Sequence, residues 1–152
     1  MERSASLRDT ASFIARARRT YPECFGCGPE NPFGLHLDDF TLSGDGWLRA
    51  QFMPKPEHRG TADTLHGGLG ATALDEIFVW TGIVTNDVLT VTGTLDLRYR
   101  APVTVLSPVT VRGRVQQHRG RRLVIAGDLT QADVSCVEGH GLYVVTASTE
   151  DW

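Results

Sequence analysis

The longest apolar stretch of the chain, from about residue 67 to residue 86, has the spacing of a helix. Apolar residues recur there at intervals of three and four positions, and further apolar residues fill the other faces. They are Leu69, Ala73, Leu74, Ile77, Phe78, Val79, Trp80 and Val84. A helix that is apolar nearly all round is buried on most sides. Asp75 and Glu76 are the only acidic residues between Thr64 and Asn86, which makes both of them conspicuous.

The second half of the chain alternates apolar with polar residues, which is typical of half-buried strands. Four such stretches cover about residues 91–100, 109–116, 123–129 and 137–147. In the first, Val91, Leu95 and Tyr99 belong to the apolar series and Thr92 to the polar series. The connections are short, which favours antiparallel neighbours, because a parallel pair needs a crossover of a dozen or more residues.

Two shorter strands precede the predicted helix, at about Leu35–Leu42 and Trp47–Met53, joined by a glycine-rich tight turn. Residues 54–64 contain two prolines and mixed charges and are predicted to form a surface loop. The order strand, strand, helix and four strands predicts an α+β architecture, with a curved antiparallel sheet of about six strands wrapped around one long central helix.

The N-terminus predicts one extra helix, because Phe13, Ile14 and Ala17 share a helical face behind Asp9 and Thr10. We therefore divide the chain into a helical extension over residues 1–23 and a single domain over residues 24–152. The arginines and serines near the N-terminus superficially resemble a transit peptide, but the amphipathic helix is the better interpretation, and no apolar core of a secretory signal is present.

Composition narrows the classes of function. The chain has 152 residues, of which 41% are hydrophobic and 22% charged, with a net charge of −3. No stretch approaches the ~18 apolar residues of a membrane span, and the mild acidity argues against a nucleic-acid partner. We expect a soluble, cytoplasmic protein with neither membrane nor nucleic-acid partners.

The cysteines predict neither a metal site nor a redox site. Cys24 and Cys27 form a single C-x-x-C with no second pair to complete four ligands, and Cys136 lies far away in the sequence. A thioredoxin-like motif should open a helix, whereas this one runs into Gly28-Pro29. We therefore predict that the two thiols pack a turn.

His66-Gly67-Gly68 stands at the start of the buried helix and is the first candidate for chemistry. The first backbone N–H groups of a helix have no partners within it, and the helix dipole adds partial positive charge there. Glycine at 67 and 68 lets a ligand approach the backbone closely. The motif could hold a developing oxyanion, or it could simply be a turn that packs tightly against the sheet.

Asp75 is the second candidate, because a carboxylate on an apolar helix needs hydrogen bonds, a charge partner, water or a raised pKa. It could act as a general base on water or as a nucleophile on an acyl carbon. Alternatively, Asp75 or Glu76 is a structural acid paired with an arginine such as Arg98 or Arg100.

Spacing leads to a hypothesis about assembly. Gly68 and Asp75 are seven positions apart, which is roughly 10 Å along a helix, so one small carbonyl group cannot contact both. A second helix related by a two-fold axis could bring its Asp75 beside the first chain's Gly67. The site is then shared between two chains.

The chain resembles the PaaI-type branch of the hotdog-fold thioesterases in several segments that cover about residues 24–147. These segments are Cys24-Phe25-Gly26-Cys27-Gly28-Pro29-Glu30-Asn31-Pro32-Phe33-Gly34-Leu35, His58-Arg59-Gly60, His66-Gly67-Gly68 with Asp75-Glu76 nine and ten positions on, and Val91-Thr92-Gly93-Thr94-Leu95-Asp96-Leu97-Arg98-Tyr99-Arg100-Ala101-Pro102-Val103. The resemblance departs at His58-Arg59-Gly60-Thr61, where many relatives carry an asparagine.

This resemblance implies a hotdog fold, a homodimer or homotetramer, and hydrolysis of acyl-CoA or carrier-bound thioesters. Coenzyme A enters as part of the substrate, and no other cofactor and no metal is expected. By position, Gly67 of the His66-Gly67-Gly68 motif would donate its N–H to the thioester carbonyl and His66 would shape the loop. Asp75 would activate water or attack directly, and Thr92 would help to position water. Other hotdog branches use a helical glutamate, which leaves Glu76 as the alternative.

Four further residues are candidates for substrate binding. Trp80 and Phe78 could wall the acyl pocket or simply form core, Arg121 at a hairpin tip could attract the phosphates of coenzyme A or be solvated, and His58 belongs to the matched segments. A binding protein without turnover and an enoyl-CoA hydratase or dehydratase remain the alternative functions, and the acyl group is open.

Overall fold

The computed structural model describes residues 7–151, and its elements follow the predicted order. They are α1 (Leu7–Ala17), β1 (Asp38–Leu42), β2 (Leu48–Phe52), α2 (Gly67–Asn86), β3 (Val88–Tyr99), β4 (Val109–Arg119), β5 (Arg122–Gln131) and β6 (Val134–Ser148). Two 3₁₀ turns, Pro56–His58 and Thr149–Asp151, complete the set. The predicted α+β architecture, with six strands, a long helix and an N-terminal helix, is confirmed.

The central helix α2 begins and ends where the apolar periodicity predicts. Its N-cap is His66, whose side chain accepts a hydrogen bond from the Gly68 N–H, and it ends at Asp87 in the left-handed conformation with φ 56°. Ala73 and Ile77 are fully buried. Burial of each large apolar side chain contributes about 1.5–3 kcal/mol, so packing against the sheet stabilises α2.

All six strands form one antiparallel sheet in the order β1-β2-β4-β5-β6-β3. The face toward α2 carries fully buried side chains, namely Leu48, Val109, Val111, Leu123, Ile125, Leu129 and Tyr143. Within the described residues β3 pairs only with β6, so its other edge lies open along 12 residues. The sheet thus encloses the helix and ends in a long free edge.

The ring of Phe78 packs where the sheet has two glycines. A Cβ at Gly113 or at Gly127 would lie 2.9 Å from a carbon of that ring, closer than side-chain carbons normally approach. Phe78 itself is 0% exposed and meets Tyr143 edge-on. The glycines therefore let α2 approach β4 and β5 closely.

A bulge in β3 reverses which residues face the helix. The register of β3 against β6 shifts between Thr92 and Thr94. Thr92 reaches α2 before the shift, whereas Leu95 is half-buried after it, and Val91 is 54% exposed. The strict alternation predicted for residues 91–99, with Val91 facing inward, is therefore wrong.

The first predicted strand is shorter than expected because the backbone turns at His36, before β1 begins at Asp38. His36 has a positive φ of 55°, which interrupts an extended strand, and Asp39, with φ 56°, lies inside β1 where its register against β2 shifts. Leu35 and Leu37 are still buried, at 1% and 0% exposure. This stretch enters the core as an irregular segment before β1.

The predicted amphipathic character of α1 is confirmed, since Ile14 and Ala17 are buried. Arg18, directly after α1, donates to the carbonyl oxygen of Cys27 and forms an ion pair with Asp38, at 3.1 Å. These contacts tie the end of the helix to the lead-in segment, residues 19–37, and to the start of β1. No helix within residues 7–151 has the length and apolar character that crossing a bilayer requires.

Candidate active site

The start of α2 presents one backbone donor to solvent. The Gly68 N–H donates to Nδ1 of His66 at 2.9 Å, and the N–H groups of Leu69 and Gly70 donate to the His66 carbonyl. Within the described residues, the N–H of Gly67 has no acceptor. The family resemblance singled out Gly67 as the donor. Among the described residues the Gly67 N–H is free, whereas the neighbouring Gly68 N–H is already bound by the His66 side chain.

A cavity of about 700 Å³ adjoins this donor. The Tyr99 hydroxyl donates to the Gly67 carbonyl at 2.6 Å, and burial raises the pKa of Tyr99, which keeps the hydroxyl protonated as a donor. Arg59 and Arg100 also line the cavity. The wall thus combines a backbone N–H, a phenol and two guanidinium groups, which suits a carbonyl group that is attached to an anionic carrier.

Asp75 lies about two turns further along α2 than Gly67, and its carboxylate is held through a single oxygen. The Thr92 hydroxyl and the Tyr143 hydroxyl each donate to Oδ1 at 2.8 Å. Burial, with the neighbouring Asp75 charge second, raises the pKa of Tyr143, so this phenol remains a neutral donor. Oδ2 accepts no bond from another described residue. That oxygen is available to a water molecule or an acyl carbon.

The arginine pairing considered for Asp75 is not formed. Arg100 instead pairs with Glu138 at 3.3 Å, and within the described residues Asp75 makes no ion pair. Two neutral hydroxyl groups therefore orient the carboxylate without neutralising its charge.

Glu76 points to a different part of the protein. Its carboxylate accepts from Trp80 Nε1 at 3.1 Å and lies 3.5 Å from the Cys24 sulfur. Burial raises the pKa of Glu76 to about 7. Cys27 donates a hydrogen bond that lowers the pKa of Cys24 to about 5, and the same bond raises the pKa of Cys27. Of the two adjacent acids, Asp75 alone contacts Thr92 on β3.

The predicted substrate-binding residues are widely separated. Phe78 is enclosed in the core, and Trp80 lines a second cavity of about 720 Å³ beside Glu76. Arg121 lies at the β4–β5 turn, where its Nε donates to the Val145 carbonyl. Within one chain these residues do not meet at Gly67.

His58 is buried, at 2% exposure, and both of its ring nitrogens have backbone partners. Nδ1 accepts from the Lys55 N–H at 3.0 Å, and Nε2 lies 2.9 Å from the Phe33 carbonyl. Its backbone carbonyl accepts from the His66 N–H at 2.9 Å. These contacts favour a role in supporting the loop before α2 over contact with substrate.

Sequence reasoning missed Tyr143 and the role of Tyr99. Tyr143 lies within an apolar run of β6, where the sequence pattern alone predicts one more core residue. The tyrosine hydroxyl could have indicated this role, because a buried tyrosine usually has a hydrogen-bond partner. Tyr99 was assigned to the apolar series although half of it, 55%, is exposed.

Comparison with known families decides the family. Residues 62–138, about half of the chain, match the model of the thioesterase superfamily. The chain belongs to the thioesterase superfamily. The matched range contains Gly67, Asp75 and Thr92, and the fold is the hotdog fold.

Solved structures agree with this assignment at the level of the fold. A crystal structure of a thioesterase superfamily protein is similar with a TM-score of 0.75 and 24% identity over 95% of this chain and 81% of the other. A hypothetical thioesterase from Streptococcus pneumoniae, crystallised with coenzyme A, has a TM-score of 0.66 and 16% identity over 74% of this chain and 98% of the other. A Streptococcus mutans protein bound to acetyl-CoA has a TM-score of 0.66 and 17% identity, with 74% and 88% coverage. No curated protein matches this thioesterase superfamily member.

Proposed function

We propose that this protein is a PaaI-type thioesterase that hydrolyses the thioester of an acyl-CoA or a carrier-bound acyl group. The observation that carries the proposal is Asp75, whose carboxylate is oriented by Thr92 and Tyr143 through one oxygen while the other stays free. The free Gly67 N–H supplies a second element that thioester hydrolysis needs, a donor for the carbonyl oxygen.

The Gly67 N–H and the Asp75 carboxylate lie at opposite ends of the proposed site. Gly67 and Asp75 are eight positions apart on α2, about 12 Å along its axis. On β3 their contacts, Tyr99 and Thr92, are seven positions apart, about 24 Å at 3.4 Å per residue. Within one chain, no single thioester carbonyl reaches both.

A dimer through the free edge of β3 resolves this separation. Two copies of β3 that pair antiparallel about a two-fold axis at Asp96 bring Thr92 of one copy opposite Tyr99 of the other, because the bulge between Thr92 and Thr94 adds one residue and leaves both side chains on the face toward α2. The partner subunit's Asp75 then approaches the first chain's Gly67. An open strand edge of 12 residues is a natural pairing surface, which supports this arrangement. The proposed assembly is a homodimer or a tetramer of two such dimers.

The reaction follows from these positions. Gly67 donates its N–H to the thioester carbonyl oxygen and stabilises the negative charge that develops there. The partner subunit's Asp75 takes a proton from water, whose oxygen attacks the carbonyl carbon, and the tetrahedral intermediate then expels the thiolate. The products are a carboxylic acid and free coenzyme A. In the alternative route the partner subunit's Asp75 attacks the carbonyl carbon, the C–S bond breaks and the thiolate leaves, and water hydrolyses the resulting mixed anhydride to the carboxylic acid and free Asp75.

Coenzyme A is the favoured carrier. Arg59 and Arg100 line the cavity beside Gly67, where their guanidinium groups can bind phosphate oxygens. Two proteins of the same fold were crystallised with coenzyme A and acetyl-CoA. Trp80 lines the second cavity and is the proposed acyl contact, whereas Arg121 would have to reach the carrier from another part of the oligomer.

Release of free thiol from a panel of acyl-CoAs tests the proposal. We expect Asp75→Asn to keep the fold and to lower turnover by about 10²-fold or more, because the general base is lost. Asp87→Asn is the matched control, since it removes the same charge at the end of the same helix and asparagine tolerates its positive φ. Full activity in Asp75→Asn would refute the assignment. Ligand binding without any thioester cleavage by the native protein would instead establish a binding protein.

A further inference from the structure

Two cysteines of the lead-in segment meet the helical Glu76 at one point. Cys24 is half-buried and Cys27 is buried, and neither forms a disulfide. Their sulfur atoms and a carboxylate oxygen of Glu76 all lie within 4.8 Å of one another. The three residues come from two segments, so the cluster exists only in the folded chain.

The spacing of these atoms fits a small tetrahedral metal ion. The Cys24 sulfur lies 3.5 Å and 3.7 Å from the two oxygens of Glu76. A tetrahedral zinc ion with Zn–S of about 2.3 Å and Zn–O of about 2.0 Å separates its sulfur and oxygen ligands by about 3.5 Å. The Cys24 sulfur and the Glu76 carboxylate are therefore already at the separation that two ligands of one zinc ion require, and the Cys27 sulfur lies within 4.8 Å of both.

The surroundings of Glu76 support this arrangement. Trp80 Nε1 donates to Oε1 at 3.1 Å and orients the carboxylate, as second partners of metal ligands commonly do. A Cβ at position 26 would lie 2.5 Å from the Glu76 carboxyl carbon, so Gly26 is needed for the loop to approach the Glu76 carboxylate this closely. The loop and the helix are thus built to bring sulfur and carboxylate together.

We infer that Cys24, Cys27 and Glu76 form a zinc site that joins the lead-in segment to α2. Two thiolates favour zinc over calcium or magnesium, which prefer oxygen ligands. The three residues line the second cavity, so the fourth coordination position is open to water there. The site shares its cavity with Trp80, the proposed acyl contact, but Asp75 is not among its ligands, and zinc binding does not require the proposed hydrolysis.

The sequence expectation of no metal rested on the missing second cysteine pair. The third ligand is instead a glutamate 49 positions after Cys27, on a helix whose orientation no sequence spacing reveals. A carboxylate that far from a C-x-x-C has no recognisable motif. The structure supplies the juxtaposition that the sequence lacks.

Metal binding by the full chain tests the inference. The protein is reduced, freed of metal with a chelator, and titrated with zinc against a chromophoric competitor. We expect about one zinc per chain, and Co²⁺ in its place should give thiolate-to-metal absorption. Reduced native protein that binds no stoichiometric zinc and gives no such absorption would overturn the inference.

Variants identify the ligands. Cys24→Ser and Glu76→Gln should each weaken zinc binding by about tenfold or more, with the fold checked by circular dichroism. Cys136→Ser is the control, because Cys136 is likewise a free cysteine but lies buried on β6 outside the cluster. Unchanged zinc affinity in both ligand variants, or an equal loss in Cys136→Ser, would refute the assignment.

Discussion

Gly67 occupies the first position of α2, where removing a backbone N–H does not remove a helical hydrogen bond. Proline is favoured at this position, and the residue before a proline should be extended, as His66 is with φ −57° and ψ 131°. The chain therefore offers a way to delete one donor while keeping the helix. Asp75→Asn is less selective, since it removes the charge and also replaces one carboxylate oxygen with an N–H donor.

Gly67→Pro should lower turnover by about 10²–10³-fold, the range for the loss of one oxyanion donor. Gly67→Ala is the control, because it retains the N–H and its Cβ would lie 3.7 Å from the Tyr99 ring, an ordinary contact. Initial rates of thiol release on the best acyl-CoA compare the two. Equal rates for the proline and alanine variants would mean that the Gly67 N–H does not contact the reacting carbonyl.

At the scale of elements, α2 packs on the sheet through Phe78 rather than presenting it to a ligand. The ring is fully buried over Gly113 and Gly127. The apolar pattern predicted this helix from Gly67 to Asn86, and turn residues and alternation predicted the succession of strands along the chain, though not their order in the sheet. What remained hidden was the bulge near Gly93, because a register shift depends on how β3 meets β6.

Phe78→Ala should destabilise the protein by about 3–5 kcal/mol, since the lost ring leaves a cavity between helix and sheet. Urea unfolding measures this change in the free energy of unfolding. Phe33→Ala serves as the control, because that ring is 68% exposed and its loss should change stability by about 0.5 kcal/mol or less. A small effect of Phe78→Ala together with a changed KM would show that the ring lines the acyl pocket after all.

At the scale of the whole molecule, we propose that the two halves of the site come from two chains. Sequence spacing already indicated this, because Gly68 and Asp75 cannot contact one small group together. The sequence could not reveal which hydroxyl groups orient Asp75, since Thr92 and Tyr143 reach it only after β3 and β6 pair. The free edge of β3 likewise became visible only with the strand order.

Subunit mixing tests the shared site most directly. Asp75→Asn and Gly67→Pro chains, each carrying a different tag, are allowed to exchange subunits, and thiol release is measured before and after. In a mixed dimer one site combines an intact Gly67 with the partner subunit's intact Asp75, whereas the other site carries both defects. Random exchange makes half of the dimers mixed, so about a quarter of native activity should return. Activity that stays at the level of the separate variants, although tagged copies have exchanged, would contradict a site built from two chains.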